Sequence, residues 1–182
     1  MNIIKIAELE ALKLELEAAD LPLKDSANLV FGEGDPDCKV LFIGEAPGQK
    51  EDELKRPFVG RSGQLLTKLI EEINWKREDV YITNIVKRRP PENRDPLPEE
   101  IDAYKPFLAR QIEIINPKII ATLGRFSMNY FLPLAKITHD QGKVFEAKGR
   151  LVYPLFHPAA ALRNPKSMKS LRECFARLPQ IV

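Results

Sequence analysis

The stretch Val40–Gly63, VLFIGEAPGQKEDELKRPFVGRSG, carries the signals from which the rest of the chain can be read. It opens on Val40-Leu41-Phe42-Ile43, a continuous apolar run closed by Gly44, as a short buried strand entering a tight turn would. Gly44-Glu45-Ala46-Pro47-Gly48 is that turn, with small residues and one acid. An acidic group, Glu51-Asp52-Glu53, comes next and reads as a solvated helix start. Pro57-Phe58-Val59-Gly60 then leads into a helix beginning near Arg61-Ser62-Gly63, with Ser62 as a candidate cap. In open α/β sheets, ligands bind beyond the carboxyl ends of the strands. A glycine-rich turn there, with a lone acid and an aromatic, is a pocket candidate.

Downstream, the same punctuation recurs. Leu65, Leu66, Leu69, Ile70 and Ile73 fall on one helical face. Val80–Val86 reads as a second strand, Lys118–Leu123 as a third and Leu151–Leu155 as a fourth. Val144–Phe145 is a minor strand candidate, and Pro154 predicts that pairing is lost near the end of the fourth strand. Helices are expected over 98–116, as a short one holding Phe126, Met128 and Phe131, and over 166–178. Upstream, residues 4–19 form an amphipathic helix, Leu21–Val30 a connector and 31–37 a turn cluster. Strands alternating with helices predict an α/β fold, a mostly parallel sheet covered on both faces. No internal repeat or linker divides the 182 residues, so a single domain spanning 1–182 is expected.

Bulk composition narrows the class less than the pattern does. Basic residues number 28 and acidic ones 26, a net charge of +2 that neither demands nor excludes nucleic acid. Cys38 and Cys174 are far apart and fit no metal-ligand spacing; they read as reduced thiols. No apolar run approaches the ~18 residues of a membrane span, and the N-terminal residues lack the long apolar core of a signal peptide. A cytoplasmic protein is expected.

Glu45, Asn84 and His157 each lie at or just past the end of a predicted parallel strand, so they are expected at one edge of the sheet. Carboxylate, amide and imidazole around the Phe58 ring suit a planar polar ligand. Asn offers both a donor and an acceptor, Phe58 a stacking face, and His157 a donor to an oxygen gaining charge. Taken singly, each has a plainer use: a turn Asn, a structural His before proline, a core Phe, a capping acid. Lys87, Arg88, Arg89 and Arg94 follow the Asn84 strand, and Arg163, Lys166 and Lys169 follow His157. They form a candidate positive rim for a phosphate backbone, the alternative being a solvated surface. Leu162 and Arg163 form a candidate duplex wedge.

These residues, in this order, resemble the uracil-DNA glycosylase superfamily, and in particular its family 4, the iron–sulfur branch. The resemblance rests on Gly44–Gly48 with Glu51-Asp52, on Pro57–Gly63, and on Thr83-Asn84-Ile85-Val86-Lys87. It continues through Arg89-Pro90-Pro91 with Asn93–Pro96 and His157–Ala160 with Leu162–Pro165. It implies an α/β/α sandwich around a four-stranded, mostly parallel sheet. It implies hydrolysis of the N-glycosidic bond of uracil in DNA by base flipping, with uracil-containing DNA as the partner of a monomeric enzyme. By the same resemblance Phe58 stacks on uracil, Asn84 reads its polar edge and His157 steadies the departing base. Glu45, with Gly44 and Ala46 of its turn, shapes the pocket and positions water. Ser62, Lys87, Arg88, Arg89, Arg94, Leu162 and Arg163 are then the DNA contacts.

Two departures accompany the resemblance. The family's four cluster cysteines fall at Ala18, Leu21, Arg88 and Tyr104 of this sequence, none of them Cys. Cys38 and Cys174 are not placed to substitute, and a [4Fe–4S] cluster needs four ligands. A clusterless relative is therefore expected, with packing in place of the cluster, Arg88 facing DNA and no metal. Ala46 stands where another branch has an Asp that orients water, and Arg88–Pro91 lacks the His by which a further branch bonds to DNA. Two rival readings are a binding protein that keeps the fold but cleaves slowly or not at all, and a nucleotide-cofactor enzyme. The second is disfavoured because Gly44–Gly48 lacks G-x-G-x-x-G spacing.

Overall fold

A computed structural model describes residues 2–147 and 149–182. Helix α1 (Ile3–Ala18) begins where Asn2 Oδ1 accepts from the Ile4 and Lys5 amides, and it buries Leu9, Leu12 and Leu16. The chain then runs through β1 (Glu33–Gly34), β2 (Val40–Gly44), α2 (Gln49–Leu54), α3 (Arg61–Glu72), β3 (Tyr81–Asn84), α4 (Pro98–Ile115) and β4 (Ile119–Leu123). It continues through α5 (Arg125–Phe131), α6 (Ile137–Asp140), β5 (Phe145–Ala147), β6 (Arg150–Leu155), α7 (Pro158–Ala161) and α8 (Pro165–Ile181). Among the described residues, no helix is long and apolar enough to cross a membrane.

The sheet order is β1-β3-β2-β4-β6-β5. Its four inner strands are parallel, and each outer strand is antiparallel to its neighbour. The expected four-stranded core is present, flanked by two short edge strands. All residues of β2, β3 and β4 are buried, as a sheet covered on both faces requires. Val40 and Phe42 face a layer built from α3, α7 and α8, where Phe42 stacks on Phe175 with centroids 5.6 Å apart. Leu41 and Ile43 face the other layer, formed by α1, α4 and α5. The period-2 alternation of β2 thus sorts its side chains between two helical layers.

Three local expectations change. Gly60, not Ser62, is the N-cap of α3. The second strand ends at Asn84, although the Ile85 and Val86 amides still donate to the carbonyls of Gly44 and Glu45. Pro154 does not end pairing: Leu155 remains in register with Leu123, and its carbonyl accepts from the Gly124 amide. The Pro154 carbonyl faces outward to the Gly142 amide. The missing N–H of proline therefore lies on the side away from β4, where no ladder bond is lost.

From β2 the chain moves out to β3 on one side, then returns to β4 on the other. The boundary between β2 and β4 is the switch point of the sheet, and it is beyond the carboxyl ends of the strands at such a point that open α/β sheets bind ligands. Gly44, Asn84, Leu123 and Leu155 end the four parallel strands at that edge.

Candidate active site

Gly44 ends β2 at this edge, packed beneath Asn84 and Phe58. A Cβ on Gly44 would collide with Asn84 Oδ1 and stand 2.6 Å from Phe58 Cε2. The bare α-carbon lets an amide and a phenyl ring close over the strand end. Phe58 is 6% exposed and its backbone is left-handed, with φ 50°. Its ring lies 5.7 Å from the His157 ring, tilted by 32°. Gly44, Phe58, Asn84 and His157, all singled out in the sequence, therefore meet at one edge of the sheet.

The Phe58 turn is held from both flanks. Glu51 Oε1 accepts from the amides of Val59, at 2.9 Å, and Gly60, at 2.7 Å. On the other side, Gly63 packs so tightly that any Cβ there would overlap the Phe58 carbonyl. Glu51 is thus a structural arm of the site rather than a solvated helix acid.

Asn84 is 2% exposed, and its Oδ1 has no hydrogen-bond partner among the described residues. A buried carbonyl left unpaired costs about 1–3 kcal/mol, so the chain holds an acceptor ready for a donor from outside.

His157 follows β6 and caps α7. Its Nδ1 accepts from the Ala159 amide at 3.1 Å, which places the proton of the neutral ring on Nε2. Burial pushes its pKa down to about 4, against an opposing pull from the Glu51 carboxylate. At neutral pH it is an uncharged N–H donor. Gly124 (φ 91°) permits this placement, since a Cβ there would come within 3.0 Å of His157 Cβ. The segment is fixed further by Gln141, which accepts from the Phe156 amide and donates to Ser170 Oγ, both at 2.6 Å.

Glu45 is half-buried. Burial raises its pKa to about 7, the Asp95 carboxylate adds to the rise and Arg125 opposes it. Asp95 and Arg125 themselves pair at 2.8 Å. Ala46 is half-buried against the α1–α4 layer.

The basic rim is narrower than the sequence suggests. Lys87 is fully buried, donating to Thr83 Oγ1 at 2.5 Å and Gln111 Oε1 at 2.6 Å, and burial pushes its pKa well down. Arg88 is 3% exposed, donates to the Ala27 carbonyl at 2.6 Å and lies 3.8 Å from Glu17. Neither reaches the surface as a DNA contact, because the connector folds over them: the Val30 amide donates to the Lys87 carbonyl. Arg94 binds both oxygens of Glu100, at 2.9 and 2.6 Å, at the start of α4. Arg89 is half-exposed and donates to Asn93; Ser62 is half-buried in the first turn of α3. Leu162 is 43% exposed, and Arg163, Lys166 and Lys169 are exposed beside it.

At the four positions aligned with the family's cysteines the donor set is wrong for an iron–sulfur cluster. Arg88 is spent on Ala27, and Tyr104 Oη donates to the Pro22 carbonyl at 2.6 Å. Leu21 is half-buried and Ala18 is exposed. Tyr104 and Leu21 pack in the apolar cluster under α1 and α4, and the Tyr104 hydroxyl adds a polar tie from α4 to the connector.

The family model described as the uracil DNA glycosylase superfamily matches residues 31–178. A Type-4 uracil-DNA glycosylase of Sulfurisphaera tokodaii is 48% identical over 164 residues, 85% of this chain and 74% of the relative. One from Thermotoga maritima is 50% identical over 140 residues, 75% of this chain and 73% of its own. A Type-5 uracil-DNA glycosylase of Pyrobaculum aerophilum is 30% identical over 144 residues, 69% of this chain and 63% of the relative.

Proposed function

The chain belongs to the uracil-DNA glycosylase superfamily, and we propose that it excises uracil from DNA by hydrolysing the N-glycosidic bond, leaving an abasic site. The observation that carries this reading is the unpartnered Oδ1 of buried Asn84 beside the Phe58 ring. A uracil edge supplies what that oxygen lacks: its N3–H donates to Oδ1, while the neighbouring carbonyl accepts from Nδ2. Cytosine presents an acceptor at N3 and an amino group beside it, the reverse pattern.

The base must leave the duplex before it meets this pocket, so flipping precedes chemistry. Phe58 covers one face of the extruded ring. As the bond loosens, negative charge gathers on the departing base, and the Nε2–H of neutral His157 donates to its oxygen. Water adds to the sugar carbon, and Glu45, with its raised pKa, takes the water proton. Leu162 fills the space the base leaves. Arg89, Arg163 and the first turn of α3 at Ser62 hold phosphates. The chain acts as a monomer in the cytoplasm and folds without an iron–sulfur cluster; the Arg88 and Tyr104 ties support the last point.

The test is single-turnover cleavage of an oligonucleotide carrying one uracil, with a thymine control and alkali treatment, alongside iron analysis of the purified protein. Strand breakage with uracil alone is expected, without stoichiometric iron. No breakage, with salt-dependent DNA binding retained, would support the non-cleaving alternative.

A further inference from the structure

We propose that Arg77 is a positioning residue for base stacking, holding Phe58 in its left-handed conformation through the carbonyl of Pro57. The inference rests on the proposed uracil excision and adds a residue to it. Arg77 lies in the 3-10 turn before β3, at the opposite end of that strand from Asn84, and its side chain is only 17% exposed. Its Nη2 donates to the Pro57 carbonyl at 2.6 Å. Its Nη1 donates to Thr67 Oγ1 on α3 at 3.0 Å. The guanidinium is itself fixed by Glu33 of β1, whose Oε1 accepts from Nε at 3.2 Å and Nη2 at 3.0 Å. Arg56 donates to the same carboxylate from the other side, at 2.7 and 3.0 Å. Burial works against the charge of Glu33, but the hydrogen bonds and charges of the two arginines outweigh it and hold its pKa below the ordinary value.

The conformation of Phe58 gives this network a purpose. A non-glycine residue at φ 50° persists only where its surroundings over-determine it. Glu51 grips the two amides after Phe58 and Gly63 abuts its carbonyl. Arg77 grips the carbonyl before it, so the peptide on the amino side of Phe58 cannot rotate. Without that grip the ring is free to leave its place over Gly44, and the base loses its stacking face.

A double-mutant cycle tests this, using single-turnover cleavage of uracil-containing DNA by the full chain. Arg77→Met, which keeps the aliphatic length, is expected to lower cleavage by roughly 10- to 100-fold, with binding of uracil-free DNA unchanged. In the Phe58→Ala background the same substitution should cost almost nothing further, because the ring it positions is gone. Arg77→Lys, which still reaches one acceptor, should recover part of the rate. Equal losses in both backgrounds would overturn the proposal and leave Arg77 as general scaffold. Should Arg77→Met fail to fold, the cycle is run with Glu33→Gln, which loosens the guanidinium without removing it. An inactive wild-type chain would instead strike the excision reading itself, so the two failures are distinguishable.

Discussion

Asn84→Ala should separate activity from stability. The side chain is buried and its Oδ1 bonds to nothing among the described residues. Removing it relieves about 1–3 kcal/mol of unmet desolvation, offset by a similar loss of packing around the vacated amide. The net change in stability is expected within about 1 kcal/mol, a shift in Tm of no more than about 4 °C for a chain of this size. In the bound state the balance reverses. Two polar groups of uracil would be left facing a methyl group, at about 1–2 kcal/mol each. The summed loss of about 2–4 kcal/mol corresponds to a drop of about 30- to 1,000-fold in single-turnover cleavage. The assay pairs that rate with a thermal melt of the same preparation. Cleavage within about threefold of wild type would refute the role of the amide. A collapse in Tm would show that Asn84 holds the fold rather than the base.

The raised pKa of Glu45 predicts a rate that climbs with pH through about 7 and then levels, since only the carboxylate accepts a proton from water. Glu45→Gln should be slow and flat across that range, and a wild-type rate falling from pH 6 to pH 8 would contradict the assignment. The depressed pKa of His157 bears on stability instead: above the ordinary value of 6.5 nothing is lost, and stability drains away as pH falls from there towards about 4, where the unfolded chain takes up a proton that the folded chain refuses. Urea unfolding of wild type and His157→Gln at pH 7 and pH 5 should show a smaller drop in the variant; equal drops would discount the group. Arg88→Ala should remove a charge-assisted bond worth about 1.5–3 kcal/mol, lowering Tm by about 5–10 °C; an unchanged melt would mean the connector is held by other contacts. Gly63→Ala should displace the Phe58 carbonyl and lower cleavage by more than about tenfold, and a wild-type rate would show that the turn can give way.

Much of the fold and of the candidate site is legible in the residues because the signals are redundant. Gly44 closes β2, Asn84 ends β3 and Gly124 follows β4, and parallel strands must end at one edge, so the order of residues along the chain suffices to bring Gly44, Asn84 and His157 together. The edge strands are illegible because two or three residues carry no period. Lys87 and Arg88 mislead for a different reason. Cationic side chains are almost never buried without partners, and beyond nearby Thr83 the partners here are remote: Gln111 on α4, and the Ala27 carbonyl in the connector. Glu51 is hidden among neighbouring acids, and a carboxylate eight residues before the amides it grips follows no local pattern. Gly124 gives a better clue. It follows β4 as Gly44 closes β2, and the same edge implies the same crowding.

The short outer strands also bear on how the protein behaves at high concentration. A sheet edge with free N–H and C=O groups is a template on which a second chain can pair, and the usual outcome is aggregation. Here one edge is Glu33-Gly34, two residues long, with its acid locked between two arginines. The other is Phe145-Glu146-Ala147, three residues with a charge at the centre. Neither offers the run of unpaired backbone that propagation requires, so the buried, strongly apolar inner strands are shielded from neighbouring molecules by two ribbons too brief to recruit them.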